Sequence, residues 1–290
     1  MKISGFTFLR NGQLLGYPFV ESIRSILPIV DEFVVALGPC EDQTEQMIAG
    51  IGDSKIRVIR TAWNERIRND LKLQGFIYGQ QKSIALFNCT GDWAFYLEGD
   101  EVVHETELDK IRNAMEVHLN NPAVEAMVFD YLHFYGNRNT YAWSPRWYRT
   151  APRIIRNTIP VWGPKGLFFV VMDTHKKGRY PRAAHTGATI YHYGWLKSEE
   201  QLALKKQNNS KYWTDKANSV NYADIDPRVL RPFRGTHPKA VQNWLPPAEG
   251  VFQANPEHRL SSRERKHRLI MNLERWLGWQ YGKRHYTLVS

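Results

Sequence analysis

The chain has 290 residues, of which 42% are hydrophobic, and carries a formal net charge of +10. That is enough for one full core or one core with an appendage, and the sequence shows no internal repeat or low-complexity segment. Cys40 and Cys89 make no disulfide framework and lack metal-ligand spacing, and no stretch approaches the roughly 20 apolar residues that span a bilayer, so a cytosolic protein, soluble or peripheral at the inner face of a membrane, is expected.

Taken in chain order, residues 2–9 read as a strand ending in Arg10, Asn11 and Gly12, followed by a helical stretch over 17–28. Residues 32–37 form a second apolar run that ends near Glu41 and Asp42, and another helical stretch follows. Residues 56–60 form a third run leading to Glu65, and a longer helix over 76–88 places Ile77, Ile84 and Phe87 on one face. Residues 93–97, between Gly91 and Gly99, are too few for a helix and read as a strand covered on both faces, with Glu98, Asp100 and Glu101 at its end.

This alternation predicts an α/β fold, a doubly wound, mostly parallel sheet with helices on both faces. The ligand crevice of such a sheet lies beyond the carboxyl ends of its strands, so Arg10, Asn11, Asp42, Glu65 and the 98–101 acids are expected along one rim. Clustered carboxylates there suit Mg²⁺ or Mn²⁺ bridging nucleotide phosphates. The plainer alternative is that these acids cap the helix starting near His104.

In the second half, residues 126–135 read as a long strand and 142–162 as irregular structure with short strands. Tyr141, Trp143, Trp147 and Trp162 either line an acceptor cleft or pack as core. Arg146, Arg149, Arg153 and Arg156 either grip phosphate or decorate a surface hairpin. A helix over 198–213 and a Pro-rich loop over 227–256 lead to a terminal helix, whose start is a capping box of Ser261 and Glu264. From residue 263 to 284, seven Lys/Arg against two Glu leave +5. The stripe of Leu269, Ile270, Leu273, Trp276 and Leu277 either packs on the body or lies on an anionic membrane surface.

Several segments in one order resemble family-2-like glycosyltransferases of the GT-A fold: residues 6–12, 22–25 with 30–35, 91–102, 131–136, 153–157 and 190–195. The resemblance implies a GT-A domain over 1–215, with a nucleotide-sugar-binding half at 1–103 and an acceptor half at 104–215. Residues 216–290 would be a loop and a basic amphipathic C-terminal helical extension. It further implies a UDP- or GDP-sugar donor, Mn²⁺ or Mg²⁺, and transfer with inversion to a hydroxyl of a glycan or lipid-linked acceptor.

Carried over residue by residue, Asp100 matches the principal metal acid, with Glu98 two positions before it and His192 as a further ligand of metal or diphosphate. Glu101 would bind metal through water or orient the sugar. Thr7, Arg10 and Asn11 would lie under base and ribose, and Asp42 in the nucleotide loop, whose other usual acid is replaced by Leu37 or Gly38. Lys82 and Ser83 match donor contacts, Lys82 being equally readable as a solvated charge. Inversion needs a general base near the acceptor hydroxyl, for which Asp130 and Asp173 are the candidates, with His185 behind them. The acid that precedes a Gly-Phe step in similar sequences is missing from residues 162–168.

Two other readings stay open. A sugar-phosphate nucleotidyltransferase would want a Gly-rich basic loop after the first strand, which residues 8–13 do not offer. A non-catalytic carbohydrate-binding protein would use the aromatics and need no Asp100. No nucleic-acid partner is expected, because the charge sits in an apolar-striped tail without a base-reading motif.

Overall fold

A computed structural model describes residues 1–67, 75–210, 221–247, 250–282 and 284–289. The first hundred residues form β1 (Ile3–Leu9), α1 (Phe19–Ile26), β2 (Glu32–Leu37), α2 (Thr44–Ala49), β3 (Ile56–Arg60), α3 (Phe76–Phe87) and β4 (Trp93–Tyr96). β4, β1, β2 and β3 lie side by side in that order, each pair parallel. On β1, Ile3 and Leu9 pack with Phe19 and Ile23 of α1, while Phe6 points the other way toward Ala85 and Leu86 of α3. β2 divides in the same manner, with Phe33, Val35 and Leu37 on one face and Val34 and Ala36 on the other. Burial on both faces is why these strands read as unbroken apolar runs.

The second half is built on β5 (Glu101–Val103), α4 (Leu108–Val117), β6 (Ala126–Tyr135), β7 (Asn137–Ala142) and β8 (Thr150–Arg156). A separate three-stranded sheet holds β9 (Val161–Trp162), β10 (Val170–Thr174) and β11 (Lys177–Arg179). β12 (Arg182–Trp195), α5 (Glu199–Ser210), β13 (Leu230–Pro232), α6 (Ser262–Leu277) and β14 (Thr287–Leu288) follow. β8 lies between β4 and β6, antiparallel to both. β12 runs parallel to β6 and pairs antiparallel with β5 near its end. The result is an 11-stranded sheet whose parallel N-terminal part continues into mixed strands. Residues 211–213 of the expected helix after Ser198 lie outside the described residues.

Three expectations are changed. The spacing puts Phe87 on one face of α3 with Ile77 and Ile84, yet Phe87 is 66% exposed while Ile77 is buried, and Lys82 is fully buried. The Lys82 ammonium is accommodated by donating to the carbonyls of Gly166 (2.8 Å) and Phe168 (3.2 Å) and by lying 3.7 Å from the Phe169 ring centroid. Burial, and then the charge of Arg153, hold its pKa well below the usual lysine range.

Next, α6 turns most of its apolar stripe outward, among exposed basic residues. Leu269, Leu273, Trp276 and Leu277 are exposed, whereas the helix meets the body through Met271 and two ion pairs, Arg268 with Asp226 (2.7 Å) and Glu274 with Arg149 (2.5 Å). Among the described residues no helix is long and apolar enough to cross a membrane.

Finally, the Pro-rich stretch does more than cross the surface. Val229, Val241 and Leu245 are buried in it, and so is His237. The His237 Nε2 lies 3.0 Å from the Arg138 carbonyl, which can only accept, so Nδ1 is left to accept from the Tyr193 hydroxyl at 2.8 Å. Burial holds the pKa of His237 down at about 4. An unfolded histidine takes up its proton near 6.5, so the unfolded chain binds more protons between those values and stability falls as pH drops from about 6.5 to about 4. Urea midpoints measured across that window are expected to fall less in His237→Gln than in the parent, and equal falls would contradict this account.

Candidate metal centre

The site is assembled by strand register. β4 ends at Tyr96, and the turn that follows presents Glu98 and Asp100 at the carboxyl edge of the parallel strands. Glu101 opens β5, where the antiparallel pairing with β12 sets it opposite His192. The parallel pairing of β12 with β6 sets His192 opposite His133. One row across three strands therefore carries Glu101, His192 and His133. One ligand atom from each of Glu98, Asp100 and His192 lies within 4.8 Å of the other two, with His192 Nε2 3.6 Å from Asp100 Oδ1. Gly194 leaves room for this meeting, because a Cβ there would stand 2.6 Å from Asp100 Oδ2 and 2.5 Å from His192 Cε1.

Glu101 is turned inward rather than toward a substrate. Its carboxylate receives Arg153 Nε (2.8 Å) and Nη2 (2.7 Å), the Tyr131 hydroxyl (3.0 Å) and the Glu98 backbone N–H (3.1 Å). Neither Glu101 nor Arg153 is exposed. Arg153 also donates to the Leu167 carbonyl (2.9 Å) and stands 3.4 Å from Glu98 Oε1. Burial, followed by the charge of Glu101, pushes the Glu98 carboxyl up to about 7. A half-buried acid crowded by other acids gains from a cation beside it, and two carboxylates with one imidazole form a donor set that fits a divalent ion.

The histidine row sets which nitrogen faces that ion. His133 Nε2 is 2.6 Å from the Tyr148 carbonyl, so it carries the hydrogen, and the neutral ring offers a bare Nδ1. His192 Nδ1, 3.2 Å away, then donates to it. This leaves Nε2, the nitrogen on the Asp100 side, as the lone-pair atom of a neutral His192. Burial, and then the neighbouring His192, keep the pKa of His133 well below the usual histidine value.

The expected donor residues are placed as follows. Arg10 pairs with Glu65 (2.6 Å) and donates to the Pro39 carbonyl, its guanidinium 5.4 Å from the Trp63 ring centroid. Asn11, at φ 52°, accepts from the Glu41 N–H, and Asp42 accepts from the N–H groups of Leu14 and Thr44. These contacts interlock the ends of β1, β2 and β3 into one rim. Thr7 is buried, with no hydrogen-bond partner for its hydroxyl among the described residues. Ser83 exchanges hydrogen bonds with the Gly163 backbone, so Lys82 and Ser83 together hold the 163–168 loop, which passes beside Glu98.

The structure brings neither candidate base to the triad. Asp130 is exposed on the face of β6 opposite Tyr131 and His133. Asp173 pairs with Arg179, whose other partner is Glu125, eight residues before His133 and so about 26 Å back along the strand direction. His185 is exposed near that same end of β12.

Of the four arginines, Arg153 serves Glu101, Arg149 holds Glu274, Arg156 donates to the carbonyls of His118, Leu119, Asn121 and Val124, and Arg146 is exposed with its guanidinium 5.8 Å from the Trp147 ring centroid. Trp147 is core, edge-on to Trp195 and Tyr135. Trp143 lies between Arg149 and Arg231, and Trp162 is partly exposed on β9. The residues missed from sequence were Tyr131, His133 and Gly194, although the alternation of Tyr131 and His133 along one strand marks a shared face.

No protein-family profile and no curated protein matches the chain. Solved structures similar to it include Mycobacterium tuberculosis glucosyl-3-phosphoglycerate synthase in complex with Mn²⁺, UDP and phosphoglyceric acid, at 17% identity over 47% of this chain and 44% of that one, with a TM-score of 0.32. The S. aureus protein TarS, residues 1–349, is similar at 17% identity over 54% of this chain and 47% of that one, with a TM-score of 0.36. The chain thus spans less than half the length of either structure, and the functional reading rests on the site itself.

Two substitutions probe the geometry. Gly194→Ala should abolish Mn²⁺ binding, and His133→Phe should weaken it about 10- to 100-fold, both with the fold retained by circular dichroism. Titration of free Mn²⁺ by electron paramagnetic resonance measures this, and parental affinity in both variants would remove the assigned site.

Proposed function

We propose that the chain is a metal-dependent glycosyltransferase, moving a sugar with inversion from a UDP- or GDP-sugar to a hydroxyl of a glycan or lipid-linked acceptor at the cytosolic face of a membrane. The observation that carries this reading is the convergence of Glu98, Asp100 and His192 at the carboxyl end of β4, beside the rim built from the ends of β1 to β3. A divalent ion held by those three side chains would supply positive charge against the charge that builds on a leaving nucleoside diphosphate. The imidazole in the set favours Mn²⁺ over Mg²⁺, which prefers oxygen ligands throughout.

The rest of the chain divides the work around that centre. Residues 1–103 form the donor half, with Thr7, Arg10, Asn11 and Asp42 shaping the edge against which base and ribose lie. Lys82 and Ser83 shape the donor pocket through the 163–168 loop. Residues 104–215 form the acceptor half, and 216–290 a loop and helical extension. Glu101 and Arg153 keep the metal-binding turn rigid, and His133 keeps His192 in the ligating tautomer.

The test is turnover of UDP- and GDP-sugars, measured as transfer or as slow donor hydrolysis in Mn²⁺. Asp100→Asn should lose at least about 100-fold. Full turnover in that variant, or none by the parent protein with any donor, would contradict the proposal.

A further inference from the structure

Helix α6 turns most of its apolar stripe away from the body. Its half-buried positions are Glu264, His267, Arg268, Ile270, Met271 and Glu274, so the side toward the body carries three charged residues. Each charged one is engaged: Glu264 closes the capping box and accepts from the Asp226 N–H, Arg268 grips Asp226 through two 2.7 Å bonds, and Glu274 takes Arg149. The opposite face carries Leu269 (66% exposed), Leu273 (53%), Trp276 (81%) and Leu277, and the chain after it adds exposed Trp279 and Tyr281. An ordinary surface helix buries its apolar stripe and shows its charges, so this arrangement calls for a covering partner.

The surroundings of the stripe are basic. Arg263, Arg265, Lys266 and Arg275 are exposed on the same helix. Beside it runs a cleft of about 710 Å³ lined by Trp143, Arg228, Arg231, Arg275 and Trp279, together with the already paired carboxylate of Glu274. These three arginines form no ion pair among the described residues. Leu and Trp on one side, flanked by Lys and Arg, is the pattern of a helix lying in the plane of an anionic lipid surface, where Trp sits at the headgroup boundary and each basic residue adds attraction. A second copy of the chain would set two +5 segments against each other, whereas an anionic bilayer complements both the charge and the apolar stripe.

We propose that α6 and the turn after it are a membrane-docking element, with the stripe inserted at the acyl boundary of an anionic bilayer and lipid phosphates seated in the arginine-lined cleft. This docking is independent of the transferase reading, since none of its residues belongs to the metal centre.

The experiment is flotation of the full chain with phosphatidylcholine vesicles with and without phosphatidylglycerol, together with Trp emission. The parent is expected to float only with phosphatidylglycerol, with blue-shifted emission and with binding that weakens in high salt. Both the Leu273→Ser/Trp276→Ser variant and the Arg228→Gln/Arg231→Gln/Arg275→Gln variant should bind about tenfold or more weakly, while melting as the parent does. The proposal is overturned if the parent ignores anionic vesicles or if folded variants bind as well as the parent. It is equally overturned if light scattering shows a dimer that the stripe variant dissolves while vesicles go unbound.

Discussion

The buried pair of Glu101 and Arg153 is the constraint on which the site depends. Both charges are removed from water, which is tolerable only because every strong hydrogen-bonding position is filled: Arg153 meets Glu101 through two nitrogens, and the Tyr131 hydroxyl and the Glu98 N–H complete the carboxylate. Removing one partner of such a pair leaves a buried unpaired charge at a cost of about 3–5 kcal/mol. The pair joins the turn after β4 to β8 and, through the Leu167 carbonyl, to the 163–168 loop. β5 has only three residues, so strand pairing alone would hold it weakly. The ion pair therefore fixes where Glu98 and Asp100 stand.

From that fixed turn two chains of contacts run outward through one short segment. The carbonyl of Tyr148 orients His133, which orients His192. The next residue, Arg149, reaches Glu274 and the Tyr281 carbonyl and so holds α6 against the body. The centre and the exposed helix are thus braced by adjacent residues ahead of β8, a rigid link between the proposed chemistry and the proposed membrane surface.

Much of the N-terminal half was legible in the sequence for a physical reason. Strands covered on both faces must be apolar throughout, and they end where Gly and polar residues begin, so β1 to β4 and the rim of Arg10, Asn11, Asp42 and Glu65 could be read directly. The acids at 98–101 were legible as a cluster, but not their division of labour, because which carboxylate faces inward depends on Arg153 from a distant strand. His192 and His133 meet through register between strands 59 residues apart, which no local pattern encodes. Lys82 was readable as a donor contact or a solvated charge but not as a buried ammonium, because nothing nearby in sequence announces the carbonyls and rings that receive it. The α6 stripe was legible in its spacing, yet the side it presents to the body is decided by Asp226 and Arg149, far away in the chain.

The central claim is that the triad and the rim form one metal-dependent nucleotide-sugar site. Thermal unfolding with UDP-, GDP-, CMP- and dTDP-sugars, each with Mn²⁺ and with chelator, tests it most directly, because a ligand that binds only the folded state raises the melting temperature. The account predicts a rise with UDP- or GDP-sugars that vanishes when the metal is removed. A folded protein that shows no rise with any of them, or the same rise without metal, would contradict it.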